Sequence, residues 1–153
     1  MMKLDELDRK ILMILQREAR LSFRKIAEQI GITTATVSER VRRLEERGIL
    51  KGYTAILDHA VLGVNTMISL VEVGSDHDPR RVASKIGELH EVCCIYQVTG
   101  DFDLVVKSRC FGRGEECATY LGKLNQVEGV SRVKSHMVLR ILKEDMIIAL
   151  DRE

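Results

Sequence analysis

The stretch Ser22–Gly48, SFRKIAEQIGITTATVSERVRRLEERG, constrains this chain more than any other. It reads as two short helices joined by a tight turn. Ser22 offers a hydroxyl that can cap the first helix, and Ile26, Ala27 and Ile30 recur at helical spacing to define a buried face. Gly31 follows as the residue able to take the left-handed conformation that ends a helix. Thr33 caps the second helix, whose inward positions are Val37, Val41 and Leu44. Gly48 closes it, with Arg47 in the last turn against the negative end of the helix dipole. The spacing of Ala27, Gly31 and Val37 is that of a helix-turn-helix, because a small residue lets two helices cross closely.

The second helix leaves Thr34, Ala35, Thr36, Ser38, Glu39, Arg42 and Arg43 outside the buried set. A helix entering the major groove by its N-terminal end needs small side chains there, with donors and acceptors for base edges. Arginines further along can reach phosphates. The expected division is Thr34, Thr36 and Ser38 for base edges and Arg40, Arg42 and Arg43 for phosphates. The plain alternative is an αα-hairpin with a solvated face braced by i,i+4 pairs such as Glu39–Arg43.

Charge supports the first reading. Residues 1–52 carry twelve Lys/Arg against eight Asp/Glu, a net +4, whereas residues 53–153 carry twelve against fifteen, a net −3. A basic head on an acidic body fits a DNA-facing end and a body with another task. The net charge of the whole, +1, argues against an indiscriminate nucleic-acid binder. The opening residues MMKLDELDRK have no long apolar run of a signal peptide, and no segment has the length and apolarity of a membrane span, so a cytoplasmic protein is expected. Cys93, Cys94, Cys110 and Cys117 lack zinc spacing and read as reduced structural thiols, with redox sensing the lesser alternative. His59, His77, His90 and His136 lie too far apart to suggest a metal, and no metal or cofactor is expected.

Taken in order, Leu4–Ala19 is an amphipathic helix with Asp5 and Asp8 at its start, a floor for the helix-turn-helix. Tyr53–Leu57 reads as a linker strand, and Asp58–Gly63 as a turn. From Asn65 the pattern becomes strand Thr66–Val73, helix Asp78–Leu89, strands Val92–Val98 and Phe102–Cys110, helix Arg113–Val127 and strand Val130–Leu142. That order is βαββαβ, a ferredoxin-like arrangement. Its two helices cover one face of the sheet, so the apolar bare face is expected to pack against another copy. Met146–Leu150 is an apolar tail that either adds to a sheet or frays. The expected class is therefore α+β: a three-helix helix-turn-helix domain over residues 1–52, a linker over 53–64 and a ferredoxin-like domain over 65–153.

This combination resembles the Lrp/AsnC family, the leucine-responsive and asparagine regulators. The resemblance rests on LDELDRKILMILQREAR at 4–20, IAEQIGITTATVSERVRRLEERGILKGYTA at 26–55, Leu62-Gly63, VTGDFDLVVKSR at 98–109 and VEGVSRVKSHMVL at 127–139. It implies a transcription regulator that dimerises through its sheets, often assembles to octamers and binds an amino acid between dimers. Carried onto this chain, the implied effector residues are Thr99, Gly100, Asp101 and Asp103 of one subunit with Ser135 and His136 of a neighbour. Backbone N–H groups near a glycine can hold a carboxylate, and an Asp can pair with an ammonium group. A plain hairpin turn would use Gly and Asp in the same way for backbone reasons alone. Two other readings stay open: a ligand-independent architectural DNA-binding protein, and a sirohaem decarboxylase. The latter is disfavoured because EVCCIYQVTGDFD has Tyr96 but no adjacent His or Arg, so no enzyme and no catalytic residue is expected.

Overall fold

A computed structural model describes residues 4–112 and 114–150. Three helices come first, α1 (Glu6–Arg17), α2 (Phe23–Ile30) and α3 (Thr34–Glu46). They are followed by β1 (Val64–Val73), α4 (Pro79–Ile86), β2 (Val92–Gln97), β3 (Leu104–Phe111), α5 (Glu115–Asn125) and β4 (Val130–Met137).

The head helices begin and end on local chemistry. Asp5 caps α1 by accepting the Asp8 N–H at 2.8 Å, and Asp8 reaches back towards the Asp5 N–H at 3.4 Å, a capping box made of two aspartates. Ser22 and Thr33 cap α2 and α3. Gly31 ends α2 at φ 72°, ψ 38°, a conformation that costs a side-chain-bearing residue about 1–2 kcal/mol. α3 ends in a Schellman motif, with the Gly48 N–H on Glu45 O at 2.8 Å and the Ile49 N–H on Leu44 O at 2.9 Å. Ile11, Leu15, Ile26, Ala27, Val37 and Val41 interlock as the head core. Each large aliphatic among them contributes about 1.5–3 kcal/mol by leaving water.

The body is a four-stranded antiparallel sheet in the order β2-β3-β1-β4. Strand alternation sorts its side chains. Met67 and Val71 of β1 with Leu104, Val106 and Cys110 of β3 face α4 and α5, where they meet Val82, Ile86, Cys117, Tyr120 and Leu124. The other face carries Ile68, Leu70, Val105, Lys107, Lys134 and His136, which is the bare face expected from the sequence. α4 starts with Asp78 as cap and Pro79 in the first turn. α5 has no side-chain cap, and Glu115 and Glu116 meet the positive end of its dipole instead. Arg113, the expected start of this helix, lies outside the described residues.

Two expectations are revised. Tyr53–Leu57 has no regular secondary structure and pairs with no strand among the described residues, since all four strands of the sheet are already ordered without it. Its Ile56 and Leu57 side chains stay exposed. β4 stops at Met137 rather than Leu142: its ladder with β1 closes with the Val138 N–H on Thr66 O at 2.9 Å, although β1 itself continues to Val64 against β3. The chain divides into two compact units, residues up to Ile56 together with those from Lys143 onward, and Leu57–Leu142. Within the first unit the Gln16 side chain of α1 donates to Ile148 O at 3.1 Å and accepts the Ile148 N–H at 2.7 Å.

Candidate nucleic-acid interface and effector site

α3 presents the groups a major-groove helix needs. Val37, Val41 and Leu44 turn into the head core, which fixes the opposite face outward. Thr34, Ser38 and Arg42 are all exposed and recur every four residues, so they share one stripe. Thr36 is half-buried, and its hydroxyl shares a 2.8 Å bond with the Thr33 hydroxyl, so part of its capacity is used in the cap. Arg42 bridges Glu39 at 2.7 Å and Glu46 at 2.5 Å. Both partners are exposed, and a surface ion pair of this kind is worth about 0–1 kcal/mol, so a phosphate can displace it.

Arg40 departs from the expectation. Its guanidinium donates to Asp5 at 2.5 Å and Asp8 at 2.8 Å, and only 20% of its side chain is exposed. It is a strut between α3 and α1, not an outward-pointing phosphate contact. Arg43 also donates to Asp8, at 3.2 Å, but its side chain remains 45% exposed. Asp8, with 2% of its side chain exposed, thus gathers two arginines from the recognition helix. The hydrogen bond from Arg40 holds the Asp5 carboxyl below its usual range, and the same bond pushes the guanidinium up. The sequence signal was present in the Asp5/Asp8 spacing, which reads as dipole chemistry until α3 is laid across it.

The turn between β2 and β3 holds four of the expected effector residues. The Val98 N–H donates to Asp103 O at 2.9 Å, closing the turn, while Gly100 takes φ 119°. Thr99, Gly100 and Asp101 are exposed. Asp103 is not: its carboxylate accepts the Val73 N–H at 2.7 Å, and its own N–H donates to Val71 O at 3.0 Å. It fastens the turn to β1, and that bond competes with pairing to an ammonium group. Beside the turn, the Arg132 guanidinium lies 5.4 Å from the centre of the Phe102 ring and pairs with Glu72 at 2.7 Å. The sequence did not single out this cluster, because it depends on the register that sets Glu72 opposite Arg132.

Ser135 and His136 are not brought together within one chain. As neighbours on a strand they face opposite sides of the sheet. His136 is exposed on the bare face opposite Ile68. Ser135 faces the helices and shares a 2.7 Å hydrogen bond with Ser69. Beneath α5 the Tyr120 and Ser108 hydroxyls are fully buried without a hydrogen-bond partner of good geometry. Burial pushes the Tyr120 phenol up, partly offset by the nearby Ser108 and Ser69 hydroxyls. The four cysteines are free; burial, with Cys117 close by, pushes Cys110 up to about 12, which leaves it an unreactive thiol at neutral pH. Among the described residues no group of three or more His, Cys, Asp or Glu could hold a metal. No described helix is long and apolar enough to cross a membrane.

Residues 4–45 match the AsnC-type helix-turn-helix domain, and residues 64–148 match the Lrp/AsnC ligand-binding domain. The chain belongs to the Lrp/AsnC family. Among the regulators it is similar to, LrpA of Pyrococcus horikoshii is 36% identical, covering 92% of this chain and 99% of that protein. The regulator FL11 of Pyrococcus furiosus is 34% identical, covering 92% and 93%. Of solved structures, a Neisseria meningitidis transcriptional regulator in complex with L-methionine superposes with a TM-score of 0.87 at 25% identity, covering 97% of this chain and 98% of that one. E. coli AsnC follows at 0.82 and 25%, covering 95% and 99%. As an Lrp/AsnC protein this is a DNA-binding transcriptional regulator with a ligand-binding domain. The α+β architecture expected from the sequence is that of the family.

Proposed function

We propose that this regulator binds a pseudo-palindromic DNA site as a homodimer and that an amino acid alters its assembly or its DNA affinity. The observation that carries the reading is the outward stripe of α3, small and polar at its N-terminal end and basic further on, set on a head braced from below. In this reading Thr34 and Ser38 meet base edges, with Thr36 contributing what its cap bond leaves free. Arg42 and the partly exposed Arg43 meet phosphates. Arg40 positions the helix. A two-fold dimer presents two such helices one helical turn of DNA apart. The exposed Ile56 and Leu57 of the unpaired linker and the half-buried Ile68, Leu70 and Val105 of the bare face favour association of copies. Octameric assembly is the further step by which an effector would change the spacing of the heads.

The effector reading draws support from the exposed Thr99, Gly100 and Asp101, whose backbone and carboxylate suit a zwitterion, and from the L-methionine held by a similar protein. Asp103 serves it by holding the turn, and His136 is the member of the Ser135–His136 pair that a neighbouring copy can reach. The test is a gel shift on DNA from upstream of the protein's own gene, with excess competitor DNA, repeated with each common amino acid. Binding that survives competitor and shifts with one amino acid is the expected result. Binding that competitor abolishes would favour the architectural alternative, and specific binding indifferent to every amino acid would remove the effector part.

A further inference from the structure

The unit boundary drawn by the fold has the chain passing between head and body twice, at Ile56/Leu57 and again at Leu142/Lys143. Only the first passage is the linker evident in the sequence. The second is the continuation of β4. Val138 still bonds to β1, its N–H on Thr66 O at 2.9 Å, and the next residues, through Ile141, line an open groove of about 760 Å³ with Asp58 and His59. Beyond Leu142 the tail turns, with the Asp145 carboxylate accepting the Ile147 N–H at 2.9 Å. Gln16 of α1 then grips Ile148 by both backbone groups: its Nε2 donates to Ile148 O at 3.1 Å and its Oε1 accepts the Ile148 N–H at 2.7 Å. A side-chain amide offers one donor and one acceptor side by side, so it can replace a neighbouring strand for a single residue.

We propose that Lys143–Leu150 is a return strap, latched by Gln16, that makes the state of the last body strand felt in the DNA-binding head. The latch reads backbone. Ile148 is 67% exposed and Met146 79%, and only Leu150 is half-buried, beside Met13, Ile14 and Ile30, so one modest apolar contact adds to the two hydrogen bonds. A contact of that kind opens readily, which is what a switch element requires. What it holds is not peripheral. α1 carries Asp8, the carboxylate on which Arg40 and Arg43 of the recognition helix rest, two turns before Gln16. The path therefore runs from β4 through Val138 and the strap to Gln16, along rigid α1 to Asp8, and across to α3. Any effector that shifts β4 pulls on α3 by this route as well as through the linker. That last consequence rests on the effector reading, whereas the latch and its mechanical coupling do not.

Amide hydrogen exchange on the chain of residues 1–153, compared with Gln16→Ala and with a chain ending at Leu142, tests the strap without any effector. In the parent the Ile148 N–H is protected. Gln16→Ala raises its exchange roughly tenfold, the scale of losing two modest hydrogen bonds. The same substitution raises exchange at Val138 severalfold, while the Leu104 and Val106 amides in the middle of the sheet keep their rates. Gln16→Glu keeps the acceptor and loses the donor, so it falls between parent and Gln16→Ala. Far-UV circular dichroism distinguishes an unlatched strap from an unfolded head. An unprotected Ile148 amide in the parent, or a Val138 amide indifferent to Gln16→Ala, overturns the proposal. Should an amino acid shift DNA binding in the parent, the shortened chain loses most of that shift. A full shift in the shortened chain refutes the strap, and no shift in the parent refutes the effector reading alone.

Discussion

Asp8→Asn removes one charge and almost no volume, and it isolates the contact that holds the recognition helix to α1. Asp8 accepts from Arg40 at 2.8 Å and from Arg43 at 3.2 Å, with 2% of its side chain exposed. Removing one partner from a buried pair costs about 3–5 kcal/mol when the survivor is left buried and alone. Here the loss is smaller for two reasons. Arg40 keeps Asp5, and Arg43, at 45% exposure, can turn to water. The capping-box bond from Asp8 back to the Asp5 N–H is long, 3.4 Å, and contributes little. The expected cost is then about 2 kcal/mol, which for a unit of this size lowers the head's Tm by roughly 10 °C. The assay is thermal and urea unfolding followed by far-UV circular dichroism, with Arg40→Met and the double variant completing a cycle. Because Arg40 keeps Asp5 but loses its buried partner, Arg40→Met should cost less in the Asp8→Asn background than in the parent, by the coupling that Asp8 supplied. An Asp8→Asn cost below about 0.5 kcal/mol, the scatter of ordinary surface substitutions, would refute the reasoning. So would strictly additive effects.

Other outcomes follow from the same structure. Arg42→Ala should weaken DNA binding and reduce the slope of log K against log salt by about 0.9, the counterions released per phosphate; an unchanged slope removes Arg42 from the phosphate set. Gly31→Ala and Gly129→Ala both force a side chain into left-handed backbone, at φ 72° and 90°, but the new Cβ at Gly31 meets nothing within 4 Å whereas at Gly129 it falls 2.6 Å from Val82 Cγ2. Gly31→Ala should cost about 1 kcal/mol and Gly129→Ala distinctly more, read from urea midpoints of the two units, and equal costs would contradict the packing. Asp5, held down by Arg40, and Glu91, where Lys123 and backbone bonding outweigh burial, both have lowered pKa values. Carboxyls of this kind stabilise the fold fully above their unfolded pKa values, and the gain is lost as pH falls through the lower folded ones. Stability should be level from neutral pH to about 5 and decline below about 4.5, and stability maintained to pH 3 would show that these pairs contribute nothing.

Much of the fold was legible because it rests on local rules. Ser22, Gly31 and Thr33 fixed the helix-turn-helix by capping and backbone freedom, and the switch from helical to alternating periodicity located the body. The candidate site was legible only in part. Ser38 and Arg42 point outward as helical spacing requires, since that spacing is a property of α3 alone. Arg40 could not be told from Arg42 by the same means. Both are helix-exposed arginines until α1 supplies Asp5 and Asp8, which capture one and leave the other. Asp103 was read for its charge, but what it holds is the Val73 N–H, thirty residues away along the chain.

The sequence by itself determined the elements, their order, the faces they bury and the family to which they belong, because caps, turns and periodicity act over a few residues. Tertiary structure decided which charges are spent and which are free. It set Glu72 beside Arg132, turned Ser135 and His136 to opposite faces, left Tyr53–Leu57 without a strand partner among the described residues and brought Ile148 to Gln16. These outcomes depend on register and on contacts between distant segments. The energy of a carboxylate, an arginine or a backbone N–H is set by what lies opposite it, and no local pattern encodes that.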